Sequence, residues 1–95
     1  MRVRYTRQAR DDLRSIIDYL TTQNVQGASN AKRALDATIN VVGHFPHSGR
    51  PVGEQGIRVL PVGRYPYLVY WTVEADEAWI VHIRDGRRKP WGNRD

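Results

Sequence analysis

The segment that decides the fold is Tyr67-Leu68-Val69-Tyr70-Trp71-Thr72-Val73, in which every residue is aromatic, aliphatic or β-branched. Such residues favour β-strands, and this segment is apolar on both of its alternating faces. It is therefore predicted to be a buried, central strand. An acidic turn at residues 74–77 separates it from a second strand, Ala78-Trp79-Ile80-Val81-His82-Ile83-Arg84, and so short a link favours antiparallel pairing.

Further strands are predicted upstream of this pair. Residues 57–62 form a strand in which Arg58 faces away from its two apolar neighbours, and Pro61 implies an edge position or a bulge. Residues 2–5 alternate arginine with apolar residues and are expected to join the sheet as an additional strand. Two prolines and a glycine within residues 45–51 predict a loop, which two later glycines extend.

Two amphipathic helices are predicted between these strands. Thr6 is the candidate N-cap of the first, whose apolar residues recur at helical spacing: Ala9, Leu13, Ile16, Ile17 and Leu20. The polar residues 21–27 are expected to end this helix. A second helix is predicted from about residues 26–28 to Gly43, with the apolar stripe Ala28, Ala31, Leu35, Thr38 and Val42. Its small alanines favour close antiparallel packing of the two helices.

The predicted fold is therefore of the α+β class. It is a helical hairpin packed on a small antiparallel sheet in the order β-α-α-β-β-β. The chain length of 95 residues suits a single domain over residues 1–95.

The composition describes a basic domain without cysteine. The net charge is +5, and thirteen of the fifteen cationic side chains are arginines, which bind phosphate or carboxylate groups through two parallel hydrogen bonds. Without cysteine, disulfides and thiolate metal sites are excluded. No run of apolar residues is long enough for a membrane helix and no secretory signal is visible, so a cytoplasmic location is expected.

The remaining candidate sites for a metal or an acid–base pair are weak. His44 and His47 are interpreted as loop residues because no carboxylate cluster accompanies them, and neither a metal nor a cofactor is expected. Asp11 and Asp12 are adjacent on the first helix, where neighbouring side chains point about 100° apart. They are attributed to helix capping and solvation.

A basic segment follows the strand that ends at Arg84. Residues 82–95 carry five cationic side chains against two aspartates, a net charge of +3. Such a segment is suited to an anionic partner, either a phosphate backbone or an acidic protein. The candidate partner-binding residues are Arg84, Arg87, Arg88, Lys89 and Trp91.

The chain resembles the RelE/ParE superfamily of toxins from type II toxin–antitoxin systems, and most of all its ParE-like, plasmid-stabilisation branch. Four parts of the chain carry the resemblance in order. They are Tyr5-Thr6-Arg7-Gln8-Ala9-Arg10-Asp11-Asp12-Leu13 with Ile16 and Tyr19, then Phe45-Pro46-His47-Ser48-Gly49-Arg50-Pro51, then Arg58-Val59-Leu60-Pro61-Val62-Gly63-Arg64-Tyr65 with Tyr67-Leu68-Val69-Tyr70, and last Ile80-Val81-His82-Ile83-Arg84-Asp85-Gly86-Arg87-Arg88. The resemblance implies growth inhibition by binding DNA gyrase. It also implies neutralisation by a cognate antitoxin in a hetero-oligomer.

The alternative that the resemblance implies is a ribosome-dependent, metal-independent mRNA endonuclease. Its catalytic candidates are Arg58, Arg64, His82 and Arg84, with arginines stabilising the charge that develops on the phosphate and His82 as the general acid or base. This sequence has no tyrosine after Tyr70, and Trp91 has no transferable proton. That departure favours gyrase as the target.

A non-toxic nucleic-acid-binding module is a further alternative from the residues themselves. Tyr65, Tyr67 and Trp71 are interleaved in sequence with Arg58 and Arg64, and aromatic rings on an open sheet face can stack on bases. The apolar character of both faces of the central strand argues against this alternative.

Overall fold

The computed structural model describes residues 1–87 of the chain. Its elements follow one another as β1 (Arg2–Tyr5), α1 (Arg7–Gln23), α2 (Val25–His44), β2 (Arg50–Val52), β3 (Ile57–Pro61), β4 (Tyr67–Glu74) and β5 (Glu77–Asp85). Two helices and one sheet confirm the predicted α+β class. Neither helix is both long and apolar enough to cross a membrane.

The sheet has five strands in the order β1-β5-β4-β3-β2. The predicted meander is confirmed, because β4 pairs antiparallel with both β3 and β5. The sheet as a whole is mixed, since β1 runs parallel to β5 from Arg2 opposite Glu77 to Tyr5 opposite Ile80. The end of α2 lies beside the start of β1, where the Met1 amino group donates to the Gly43 carbonyl oxygen at 2.9 Å. The strands β2, β3, β4 and β5 alternate in direction, and β5 runs in the direction of β1.

The prediction of a loop over residues 45–51 is wrong for its last two residues. Arg50–Val52 is a short edge strand that pairs antiparallel with β3. Pro51 is tolerated there because one side of an edge strand needs no hydrogen-bond donor. Pro61 also fits its position, since β2 pairs only as far as Val59 and leaves the end of β3 without a neighbour on that side.

The two helices are separated by the single residue Asn24, not by the longer polar link that was predicted. Its backbone N–H donates to the Leu20 carbonyl oxygen at 2.9 Å and so ends α1. Its side-chain oxygen accepts from the Gly27 N–H at 2.7 Å and so begins α2. One asparagine therefore satisfies backbone groups at both helix ends, and α2 begins before Gly27 rather than after it.

The core lies between the helical hairpin and one face of the sheet. All five residues of the predicted α2 stripe are buried, whereas α1 buries only Ala9 completely and packs its other apolar residues at the edge of the core. The largest fully buried side chains are Trp71, Leu35, Ile80, Ile83, Val42, Val62 and Val69.

Replacing Thr6 by Ala is expected to lower the free energy of unfolding by about 1–2 kcal/mol. The Thr6 hydroxyl accepts from the Ala9 N–H at 3.1 Å, and it lies 3.2 Å from the Val81 carbonyl oxygen, to which it donates. The change therefore removes a helix cap and one link to β5. Chemical denaturation measures the loss. Thr6→Ser keeps the hydroxyl and should stay close to the parent protein; an equal loss in both variants would contradict the cap assignment.

Candidate functional site

A groove of about 530 Å³ lies between α1 and the second half of β5. We call it the α1–β5 groove. Its lining combines four carboxylate or cationic side chains with aromatic and aliphatic walls: Asp12, Ser15, Ile16, Tyr19, Tyr67, His82, Ile83, Arg84, Asp85 and Arg87. Three residues singled out in the sequence, His82, Arg84 and Arg87, therefore meet on one concave surface.

A β-bulge in β5 determines which way His82 points. Trp71 is paired with Ile80 and Tyr70 with His82, so Val81 is an extra residue between them. Neighbouring residues of β4 face opposite sides of the sheet. Ile80 therefore faces the core with Trp71, while His82 faces the other side with Tyr70. Simple alternation along β5 predicts a common face for Ile80, His82 and Arg84; the bulge makes this wrong for Ile80, whereas His82 and Arg84 do share a face.

Asp12 holds His82 and the backbone of β5 against α1. His82 Nδ1 lies 2.6 Å from Asp12 Oδ2, and the Ile83 N–H donates to the same carboxylate oxygen at 2.9 Å. The two side chains are only 16% and 14% exposed. The attribution of Asp12 to capping and solvation is therefore wrong, because the carboxylate makes two hydrogen bonds to β5, some 70 residues away in the chain. Asp11 remains an exposed residue.

Tyr70 connects His82 to Arg84 on the sheet face opposite the helices. The Tyr70 and His82 rings are stacked with their centroids 6.0 Å apart. Arg84 Nη1 donates to the Tyr70 hydroxyl at 3.2 Å. The ring of Tyr70 is buried, so its contacts hold the side chains of His82 and Arg84 in place.

At the mouth of the groove, Asp85 orders Arg87 of the basic segment. Arg87 Nη2 and Nε donate to the two Asp85 carboxylate oxygens at 2.7 and 3.0 Å. This paired hydrogen bond, together with the attraction of the Asp85 charge, raises the pKa of Arg87 above its ordinary value. Burial, followed by the nearby charge of Asp85, raises the pKa of Tyr67, so its hydroxyl stays protonated. Arg88, Lys89 and Trp91 lie outside the described residues.

The other two catalytic candidates lie elsewhere. Arg58 is paired with Trp71 and therefore lies on the sheet face opposite His82 and Arg84; its Nη1 donates to the Ser48 carbonyl oxygen at 3.3 Å. Arg64 is exposed in the turn between β3 and β4. The fold brings His82 and Arg84 together and leaves Arg58 and Arg64 outside that group.

The aromatic residues considered for base stacking are not available for it. Trp71 is completely buried, and its Nε1–H donates to the Pro46 carbonyl oxygen at 2.9 Å. Tyr67 is buried on the same strand and stacks at 6.5 Å on Tyr65. These rings contribute to the core and its rim, which contradicts a base-stacking platform at these positions.

Comparisons with known proteins agree with this architecture. A family model described as "ParE toxin of type II toxin-antitoxin system, parDE" matches residues 3–90. A solved structure described as "Chromosomal ParDE TA system from P. aeruginosa" superposes with a TM-score of 0.80 at 25% sequence identity, covering 90% of this chain and 95% of that chain. No curated protein sequence is significantly similar to this chain.

Proposed function

Because the chain belongs to the ParE toxin family of type II toxin–antitoxin systems, we propose that it acts by binding and inhibiting DNA gyrase. The proposed contact surface is the α1–β5 groove together with the basic segment that leaves β5: Arg84, Arg87, Arg88, Lys89 and Trp91. The growth arrest that follows would occur in the cytoplasm, where gyrase acts.

The observation that supports binding over catalysis is the separation of the cationic candidates. Arg58 lies across the sheet from His82 and Arg84, and Arg64 is exposed in a turn. Charge stabilisation in catalysis requires donors aimed at one reacting group. A protein-binding surface has no such requirement, since a few arginine and aromatic anchors carry most of an interface's energy.

The groove also suits a cognate antitoxin, which we propose binds the same surface. Tyr19 is 63% exposed and provides an aromatic wall beside Ile16, while the cations at the mouth favour acidic side chains from the partner. The solved relative is described as part of a ParDE toxin–antitoxin system, which supports a hetero-oligomer. An antitoxin seated here would cover the residues proposed to contact gyrase.

The full chain, released from its antitoxin, is expected to abolish DNA supercoiling by purified gyrase and to leave mRNA on translating ribosomes intact. Both reactions are followed by gel electrophoresis in parallel, with toxin–antitoxin complex as the inactive control. Cleaved mRNA with unaffected supercoiling would overturn the proposal and move the activity to RNA.

One observation keeps ribosome-dependent cleavage as the second candidate. The Asp12 carboxylate orients the His82 imidazole, with Arg84 joined to the same group through Tyr70; an oriented imidazole beside a cation is a competent acid–base arrangement. If RNA is cleaved, Arg84→Ala should abolish cleavage, whereas Arg33→Ala on the exposed side of α2 should not. Equal cleavage by the parent protein and Arg84→Ala would remove this assignment.

A further inference from the structure

A second basic surface surrounds β1 and the first turns of α1. Four arginines, Arg2, Arg4, Arg7 and Arg10, line a shallow concavity of about 480 Å³ with Trp79 on its floor. We call it the β1 surface. It shares no residue with the α1–β5 groove, so the proposed gyrase surface does not account for it.

The fold gathers these arginines from two elements. In β1, Arg2 is paired with Glu77 and Arg4 with Trp79, so both arginines lie on the same sheet face. Thr6 then begins α1, and Arg7 and Arg10 follow at the spacing that places two side chains one helical turn apart. The short step from strand to helix therefore brings four guanidinium groups around one depression.

The positive charge of the β1 surface is only partly compensated. Glu77 Oε2 accepts from Arg4 Nε at 2.9 Å and lies 3.9 Å from Arg2 Nε. Arg7 and Arg10 are exposed, and within residues 1–87 the structure provides neither guanidinium group with a hydrogen-bond or ion-pair partner. Among the described residues, Glu77 is the one carboxylate within ion-pair distance of these four cations.

The position of Arg7 and Arg10 opposes what the helix itself would favour. The N-terminus of a helix carries a partial positive charge and prefers acidic side chains. The first turn of α1 contains none, and arginine occupies it instead. These arginines therefore do not complement the partial charge at this end of α1, which points to a ligand outside the chain as the reason for their charge.

The chemistry of the surface fits phosphate groups better than an acidic protein. Interfaces with proteins have an apolar, well-packed centre, but the apolar residues here, Val3, Tyr5 and Trp79, are already partly buried. Interfaces with nucleic acid are polar and strongly positive, and guanidinium groups bind phosphate through paired hydrogen bonds.

The surroundings of the Trp79 ring indicate whether the β1 surface suits double-stranded or single-stranded nucleic acid. Single-strand sites use aromatic rings on which bases stack, whereas the Arg4 guanidinium lies 5.7 Å from the centre of the Trp79 ring. The Trp79 ring is thus already in contact with a cation and is not free to stack on a base. We propose that the β1 surface binds the phosphate backbone of double-stranded DNA without reading its sequence, through Arg7 and Arg10 with Arg2 and Arg4.

The test measures the binding of the full chain to a fluorescein-labelled DNA duplex of random sequence by fluorescence anisotropy over a range of salt concentrations. Each phosphate contact contributes about 0.9 to the slope of log K against log salt. Arg7→Gln/Arg10→Gln is expected to make that slope shallower by about 2 and to weaken binding at low salt at least tenfold. The thermal midpoint should not fall, because neither side chain has a partner to lose.

The matched control is Arg33→Gln/Arg50→Gln, which removes the same charge from α2 and from the opposite edge of the sheet. This control should keep the salt slope of the parent protein. Any binding through the basic segment is present in the parent and in both double variants, so it does not affect the comparison. An equal loss of slope in both double variants would overturn the proposal and leave only a general effect of net charge. Unchanged duplex binding by Arg7→Gln/Arg10→Gln, combined with its loss of binding to labelled polyglutamate, would also overturn it in favour of an acidic protein partner.

Discussion

Replacing Asp12 by Ala is expected to lower the free energy of unfolding by about 3 kcal/mol. The Asp12 carboxylate accepts hydrogen bonds from both the His82 ring and the Ile83 N–H, and hydrogen bonds to a charged group contribute about 1.5–3 kcal/mol each. The alanine would also leave the Ile83 N–H without its acceptor beneath α1. In a domain of this size the thermal midpoint should fall by roughly 12–24 °C.

The neighbouring aspartate is a control with the same change in charge. Asp11 is exposed, and Asp11→Ala should alter stability by no more than about 0.5 kcal/mol. Asp12→Asn keeps an oxygen for the Ile83 N–H, and its free energy of unfolding should lie between those of Asp11→Ala and Asp12→Ala. Urea denaturation of the three variants and the parent protein gives the comparison. If Asp11→Ala and Asp12→Ala were equally stable, the hydrogen bonds from Asp12 to β5 would contribute nothing to the stability of the fold.

Truncation after Gly86 is expected to abolish gyrase inhibition and growth arrest. It removes Arg87 together with the cations and the tryptophan that follow, namely Arg88, Lys89, Trp91 and Arg94. The sheet should persist, because β5 ends at Asp85 and, within residues 1–87, the buried core residues all precede that point. Supercoiling assays, growth curves and a circular dichroism spectrum together separate lost function from lost fold.

Two full-length variants identify which part of the segment matters. Arg87, Arg88 and Lys89 replaced together by Gln remove the charge and keep the length, whereas Trp91→Ala removes the aromatic anchor and keeps the charge. The charge variant should lose most inhibition if acidic groups of gyrase are the target. Full inhibition by the truncated chain would reject the segment as the contact surface.

The elements set by local pattern could be predicted from the sequence. The Thr6 cap, the α2 stripe from Ala28 to Val42 and the three-stranded meander each follow from residue type and spacing, which do not depend on the rest of the fold. The family resemblance added the toxin function, which composition alone leaves open.

The site itself depends on pairing that the sequence does not display. Val81 is an extra residue only in the alignment of β5 with β4, which the sequence of β5 does not show. Simple alternation along β5 therefore places His82 on the face of Ile80, which is wrong. A signal for Asp12 was nevertheless present. Asp12 precedes Ile16 of the apolar stripe by four residues, one helical turn, whereas Asp11 precedes the polar Ser15 by the same spacing.

The position of β5 between β1 and β4 sets the order in which this toxin can assemble during synthesis. Thr6 and Val81 are hydrogen-bonded although they are 75 residues apart in the chain, and among the described strands β1 pairs with β5 alone. The helical hairpin depends on local contacts and can form early, whereas such distant pairing is slow. A nascent chain that has not yet released β5 from the ribosome has neither a closed sheet nor the groove beside it. The surface that we propose for gyrase and for the antitoxin is therefore complete only once β5 has emerged.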